Sequence, residues 1–187
     1  MKCQAIIAGV GGQGVLFAAR IFTEMAGRKN LPVLSSQTFG MAQRGGSVMS
    51  HLKIGAFNGP LVCEGDADLL LGLDWVEAHR ALPYLRRTQG GKNAVCVVNA
   101  PSVSAFPDLR LARLLREMGV AIHTCEADAE ALKMDNPLVA NLILLGFASS
   151  QGDFPFSYDE VRDATKTLSG TAHRQVNLDA LERGRSL

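Results

Sequence analysis

Four glycines fall within the six residues Gly9-Val-Gly-Gly-Gln-Gly14, directly after the apolar run ending at Ala8 and directly before VLFAARIFTEMA. A glycine cluster between a short apolar run and an amphipathic segment is a tight strand-to-helix turn. It permits positive φ and close backbone approach at a helix N-terminus, where unpaired N–H groups favour a phosphate or a flat polar ligand. Gly9, Gly11 and Gly14 also satisfy the G-x-G-x-x-G spacing of dinucleotide sites. Such sites require an acidic residue about 20 positions further on, at the end of the second strand. That strand is expected over Leu31 to Gln37, and no Asp or Glu occurs from Asn30 to Phe57, while Glu24 falls inside the first helix. A standard NAD site is therefore disfavoured. The turn either packs against something other than a nucleotide or meets a different polar ligand.

The rest of the chain alternates strands with helices. Strands are expected at Cys3 to Ala8, Pro32 to Ser36, Ser47 to Ile54, Ala67 to Leu73, Ala94 to Asn99 and Val120 to Cys125. Helices are expected at Gln13 to Gly27, Trp75 to Leu85, Asp108 to Met118 and Ala127 to Leu132, then from Pro137 to Ser149. Ser157 and Glu160 have the spacing of a capping box for a helix reaching Leu168, and a last short helix is expected at Val176 to Arg183. Leu138, Leu142, Leu145 and Ala148 recur at helical spacing as a buried stripe. The third strand alternates, with Val48, Ser50, Leu52 and Ile54 on one side. Too few residues precede it for a crossover helix, so it must run antiparallel to a neighbour. The pattern is that of a three-layer α/β/α sandwich with a mixed, mostly parallel sheet, and residues 1–187 read as a single domain.

Composition narrows the function classes. Nineteen Lys and Arg against 18 Asp and Glu leave a net charge of +1. The basic residues are scattered, which points away from nucleic acid and from a charged membrane surface. The apolar stretch from Leu138 to Ala148 is broken by Asn141 and is too short to cross a bilayer. No secretory signal pattern precedes the first strand, so a cytoplasmic location is expected. Cys3, Cys63, Cys96 and Cys125 are far apart, with no C-x-x-C or Cys/His cluster, and read as buried reduced thiols, with no metal site.

A second polar, glycine-rich stretch, SSQTFGMAQRGGSVMSH, runs from Ser35 to His51. It follows a strand of parallel type, which places it on the same rim of the sheet as the first turn. Arg44 is its cation, and a guanidinium suits a phosphate or carboxylate bidentately. Pairing with a carboxylate of this chain or of a partner is an equal alternative. Gly45 and Gly46 either shape this surface or turn the backbone into the third strand, and His51 reads as a hydrogen-bonding residue on a sheet face.

The segments GVGGQGVLFAARIF, SSQTFGMAQRGGSVMSHLKIG and ADLLLGLDWVEAHRALPYL together resemble the gamma subunit or domain of the 2-oxoacid:ferredoxin oxidoreductases, closest to the beta subunit of the indolepyruvate enzymes. The likeness spans nearly the whole chain. It implies a pyruvate-ferredoxin oxidoreductase gamma-domain-like fold and membership of a heteromer that converts a 2-oxoacid and CoA to acyl-CoA and carbon dioxide. Thiamine diphosphate, magnesium and iron-sulfur clusters would belong to a large alpha subunit, with ferredoxin as the electron acceptor of the complex. This chain would bind none of these cofactors alone and supply no catalytic residue. The likeness further implies that Gly11, Gly12, Gln13 and Gly14, with Gln43, Arg44, Gly45 and Gly46, line a rim facing the partner or CoA. Relatives more often carry a glutamate and proline where this chain has Asp74-Trp75, so Asp74 is expected to cap its helix differently. A purely structural subunit and a stand-alone ligand-binding protein remain the alternatives. An isolated chain is expected to self-associate through the face that meets its partner.

Overall fold

Alternate residues of the central strands face opposite cores. Ala5 and Ile7, Leu69 and Leu71, and Val95 and Val97 enter one; Ile6 and Ala8, Leu70, and Cys96 and Val98 enter the other. Strands buried on both faces need helices on both sides, which is why they read as near-continuous apolar runs. In a computed structural model, which describes residues 1–41, 45–88, 93–102 and 106–187, they form a six-stranded sheet. Its strands are β1 Cys3–Val10, β2 Val33–Phe39, β3 Ser47–Ile54, β4 Leu69–Gly72, β5 Ala94–Asn99 and β6 Val120–Cys125, in the order β2-β3-β1-β4-β5-β6. β1, β4, β5 and β6 are parallel, and β3 is antiparallel to both β1 and β2. The mixed, mostly parallel sheet expected from the sequence is present, with β3 as its reversed strand.

The two helical layers are unequal. The helices α1 Val15–Arg28, α4 Ala127–Lys133, α5 Ala140–Ser150, α6 Tyr158–Leu168 and α7 Arg174–Arg185 build the larger core, whereas α2 Trp75–Ala81 and α3 Leu109–Glu117 close the other face. α5 is apolar on nearly every side because it lies between other elements, with Leu142, Ile143, Leu144, Leu145 and Ala148 all buried. Its neighbour α7 approaches at backbone distance. A Cβ at Gly146 would overlap the Leu181 carbonyl oxygen, and one at Gly184 would overlap that of Ile143.

Side-chain caps start α2, α3 and α6. The Ser157 hydroxyl accepts from the Glu160 N–H, and the Glu160 carboxylate accepts from the Ser157 N–H at 2.8 Å, completing the expected capping box. Asp74 accepts from the N–H groups of Val76 and Glu77 to start α2. Several boundaries differ from the sequence reading for identifiable reasons. α2 stops at Ala81 because Pro83 has no N–H to donate, and Leu82–Tyr84 tightens into a 3-10 turn. β4 is shorter than expected, since Ala67 makes only an isolated bridge to Leu85. β2 continues to Phe39 because β3 offers it partners as far as Val48. α7 begins two residues earlier than expected, at Arg174. Leu138 is not part of the buried stripe: Pro137–Val139 is a 3-10 turn ahead of α5, and Leu138 is 79% exposed.

Candidate functional site

Two glycine-rich turns meet at the carboxyl rim of β1. The last residue of β1, Val10, pairs with Ser47, the first of β3, and Phe39 at the end of β2 pairs with Val48. The turns are then joined directly, Gly11 N–H donating to Gly46 O at 2.9 Å, while Gly40 N–H donates to Ser47 O at 2.7 Å. The shared rim expected from the sequence is therefore formed by Gly11, Gly12, Gln13, Gly14, Gly45 and Gly46. Gln43 and Arg44 lie outside the described residues. Between the turns opens a cavity of about 730 Å³ lined by backbone and by apolar side chains, among them Val10, Leu16, Phe39 and Val48.

The first turn is shaped from within. Gln13 folds back so that its Oε1 accepts from Val10 N–H at 2.9 Å, and Gln13 N–H donates to Val10 O at 3.1 Å. Gly14, at φ 83°, is the N-cap of α1 and supplies no side-chain cap. No acidic residue sits in the first turn of α1, whose first residues Val15 and Leu16 line the cavity. Opposite them, Ser47 Oγ donates to Glu77 Oε2 at 2.7 Å, and the other Glu77 oxygen is held by Arg80. This buried carboxylate ties the start of β3 to α2, and no sequence motif announced it.

A smaller crevice of about 80 Å³ lies on the other side of the turn, lined by Gly12, Gln13, Leu73, Asn99, Asp128, Pro137, Leu138, Ala140 and Asn141. It stands where α1 leaves β1 on one face of the sheet and α2 leaves the adjacent β4 on the other, the topological switch point at which open α/β sheets bind ligands. Asn99, at the end of β5, is engaged at both ends of its amide: its Nδ2 donates to Leu73 O at 3.1 Å and its Oδ1 accepts from Asp128 N–H at 3.3 Å.

His51 faces away from both cavities. Its Nδ1 accepts from Val62 N–H at 3.3 Å and its ring packs edge-on against Tyr84, so it is the sheet-face hydrogen-bonding residue that was expected. Burial holds the imidazole below its ordinary value of 6.5, with the Lys53 charge acting the same way. As pH falls below about 6.5 the unfolded chain therefore takes up this proton first, and stability present at neutral pH is lost through the lower folded pKa. Thermal unfolding should show a lower Tm in mild acid than at neutral pH, with a smaller difference in His51→Gln.

Cys3, Cys96 and Cys125 are buried, whereas Cys63 is exposed, contrary to the expectation for all four. It follows β3 in an irregular segment, next to Val62, which takes the buried position instead. Burial pushes the Cys96 and Cys125 thiols up to about 12. Among the described residues no three His, Cys, Asp or Glu come together as metal ligands, and no helix is long and apolar enough to cross a membrane.

Residues 4–187 match the family described as pyruvate ferredoxin/flavodoxin oxidoreductase. The chain belongs to that family. Among its relatives in this oxidoreductase family, indolepyruvate oxidoreductase subunit IorB of Archaeoglobus fulgidus is 32% identical over 98% of this chain and 94% of its own length. The subunit of the same name from Methanothermobacter thermautotrophicus is 29% identical, covering 98% and 96%. The fold is shared with the gamma subunit of a keto/oxoacid ferredoxin oxidoreductase from Geobacter sulfurreducens, with a TM-score of 0.72, 20% identity, and coverage of 98% of this chain and 96% of that one. It also recurs within 2-oxoglutarate:ferredoxin oxidoreductase from Magnetococcus marinus, solved with 2-oxoglutarate, coenzyme A and succinyl-CoA bound. That match has a TM-score of 0.73 at 18% identity and covers 99% of this chain but 30% of that longer one.

Proposed function

We propose that this chain is the smaller subunit of an indolepyruvate-type 2-oxoacid:ferredoxin oxidoreductase, working with a large subunit that carries the thiamine diphosphate, magnesium and iron-sulfur clusters, with ferredoxin as acceptor. The observation that carries this reading is the nearly end-to-end match to two subunits of that name, at 32% and 29% identity. Among the described residues no group of three His, Cys, Asp or Glu assembles, so the chain's side chains offer no ligand set for an iron-sulfur cluster there. No step of the decarboxylation is therefore assigned to its side chains.

Its own contribution is at the rim. CoA supplies the thiol that takes up the acyl group, and the cavity between the glycine turns suits its approach. The N-terminus of α1 offers N–H donors and the positive end of the helix to a phosphate, and Gly11, Gly12, Gly14, Gly45 and Gly46 leave room for it. Gln43 and Arg44 belong to the same segment, and Arg44 would add a bidentate cation. The rim also exposes Leu16, Phe39, Met41, Trp75, Val76 and Leu138, an apolar surface suited to the large subunit. That surface equally favours a second reading, in which the turns only pack against the partner.

Arg44→Ala in the reconstituted complex separates the two. Losing a charge-assisted contact to phosphate should raise the KM for CoA about tenfold or more while kcat is kept. Unchanged CoA kinetics with unchanged assembly would leave the purely structural role. A chain that copurifies with no large thiamine- and cluster-bearing partner would instead be a stand-alone binding protein.

A further inference from the structure

The crevice at the switch point carries chemistry that the larger cavity lacks. Asn141 is 6% exposed, near the start of α5. Its Oδ1 accepts from Leu142 N–H at 2.8 Å, and since an N–H can only donate, that contact fixes which end of the amide is which. The Nδ2 group must point the other way, against Gly14, where a Cβ would overlap it. It has no hydrogen-bond partner among the described residues, although it lines the crevice. Gln13 repeats the arrangement: Val10 N–H fixes its Oε1, and Nε2 is left without an acceptor on the same crevice wall.

Two amide NH₂ groups are therefore oriented by backbone donors and presented unused. The single carboxylate lining the crevice, Asp128, is held at its backbone by Asn99 and supplies an acceptor near the mouth. Donors on one wall and an acceptor at the mouth complement a group with one carbonyl oxygen and one N–H. An anion would meet Asp128 unfavourably, and an aliphatic group would cover the two donors without pairing them, at a cost of about 1–3 kcal/mol. At about 80 Å³, against ~10–15 Å³ for one water on the same measure, the crevice admits a narrow chain.

We propose that Gln13, Asn141 and Asp128 form a subsite for a secondary amide, that of the pantetheine arm of CoA. This rests on the reading of the chain as a CoA-contacting subunit and adds to it a second, uncharged point of recognition. Gln13 and Asn141 bind the amide carbonyl oxygen, and Asp128 accepts its N–H. The nucleotide phosphates lie across the Gly12–Gly14 turn, at the start of α1.

The two halves of CoA test the two ideas separately on the ¹⁵N-labelled full chain. Pantetheine has the amides and no phosphate; adenosine 3′,5′-bisphosphate has phosphates and no amide. Pantetheine should shift the side-chain NH₂ signals of Gln13 and Asn141, and the bisphosphate should shift the backbone amides of Gly11, Gly14 and Gly46. Asn141→Ala removes the donor without placing a negative charge beside the start of α1, and an unchanged bisphosphate response reports that the variant is folded. It should weaken pantetheine about tenfold or more and leave the bisphosphate unaffected. Gln13→Ala removes the other donor, likewise without adding a charge. NH₂ signals that ignore pantetheine, or undiminished pantetheine binding in both variants, would overturn the subsite even if the bisphosphate binds. Signals that move only when the large subunit is added would also overturn it, assigning the crevice to a partner's backbone. Pantetheine shifts with no bisphosphate response would support the subsite and count against the phosphate contact alone.

Discussion

Gly184→Ala is expected to destabilise the chain by about 3 kcal/mol, lowering Tm by roughly 10 °C. The added methyl has no free direction, because the Cβ position is already taken by the Ile143 carbonyl and its neighbouring backbone. Backbone cannot rotate aside as a flexible side chain can, so α7 must move off α5. Both helices pack in the larger core, and Leu181 and Ile143 lose their close packing together. Gly146→Ala pushes the same pair apart from the other side, against the Leu181 carbonyl. Gly27→Ala is the matching control. It lies in α1 with nothing within 4 Å of a new Cβ, so lower unfolded-state entropy and better helix propensity should raise stability by about 0.5–1 kcal/mol. Thermal or urea unfolding of the three variants checks the contrast, and a Gly184→Ala variant as stable as the parent would refute the backbone-contact account.

Those two helical glycines show where sequence reading stops. Gly146 and Gly184 look like weak points in α5 and α7, and only the approach of the two helices shows that their missing side chains are the contact. The sheet was far more legible. Period-two burial on both faces marks β1, β4 and β5 within the chain itself, and the short run before Ser47 forces β3 to reverse. Leu138 was misplaced because helical spacing was extended through Pro137, where a 3-10 turn rotates the side chain outward. At the site, the shared rim of the two glycine-rich stretches followed from strand direction, whereas the hydrogen bond from Gly11 to Gly46 did not. Glu77, Asn99 and Asn141 did not, because each acts through an orientation set by one hydrogen bond that no spacing encodes. The available hint was Asn141 itself, a polar residue inside an otherwise apolar helix, which a packed core tolerates only with a partner.

The division of labour at the rim follows from these orientations. The larger cavity is made of backbone and apolar side chains, which accept many shapes and discriminate little. The crevice behind it is small, polar and held in place by β5 through Asn99, which touches both Leu73 and Asp128. On the reading proposed above, a ligand that reaches across the Gly12–Gly14 turn would be admitted by one and identified by the other. The turn must be thin for that to work: Gly12 lines both spaces, and Gly14 lines the larger one while resting against Asn141 of the smaller.

Gly14→Ala should consequently cost about 3 kcal/mol, from two separable sources. At φ 83° a Cβ in the left-handed region costs about 1–2 kcal/mol. The same Cβ overlaps Asn141 Nδ2, and overpacking of that kind adds about 1–3 kcal/mol. Asn141→Ala removes the overlapped group, so in that background Gly14→Ala should retain only the backbone cost. The double-mutant cycle should give a favourable coupling of about 1–2 kcal/mol between two residues far apart in sequence. Simple additivity would mean that the Asn141 amide does not rest against Gly14, and the donor wall of the crevice would go with it. In the Gly14→Ala single variant the displaced NH₂ should also stop responding to pantetheine, whereas Gly27→Ala, at the far end of the same helix, should leave that response intact. Loss of stability and loss of ligand response at one position, with neither at the other, would tie the glycine turn to the crevice through Asn141 rather than through the helix as a whole.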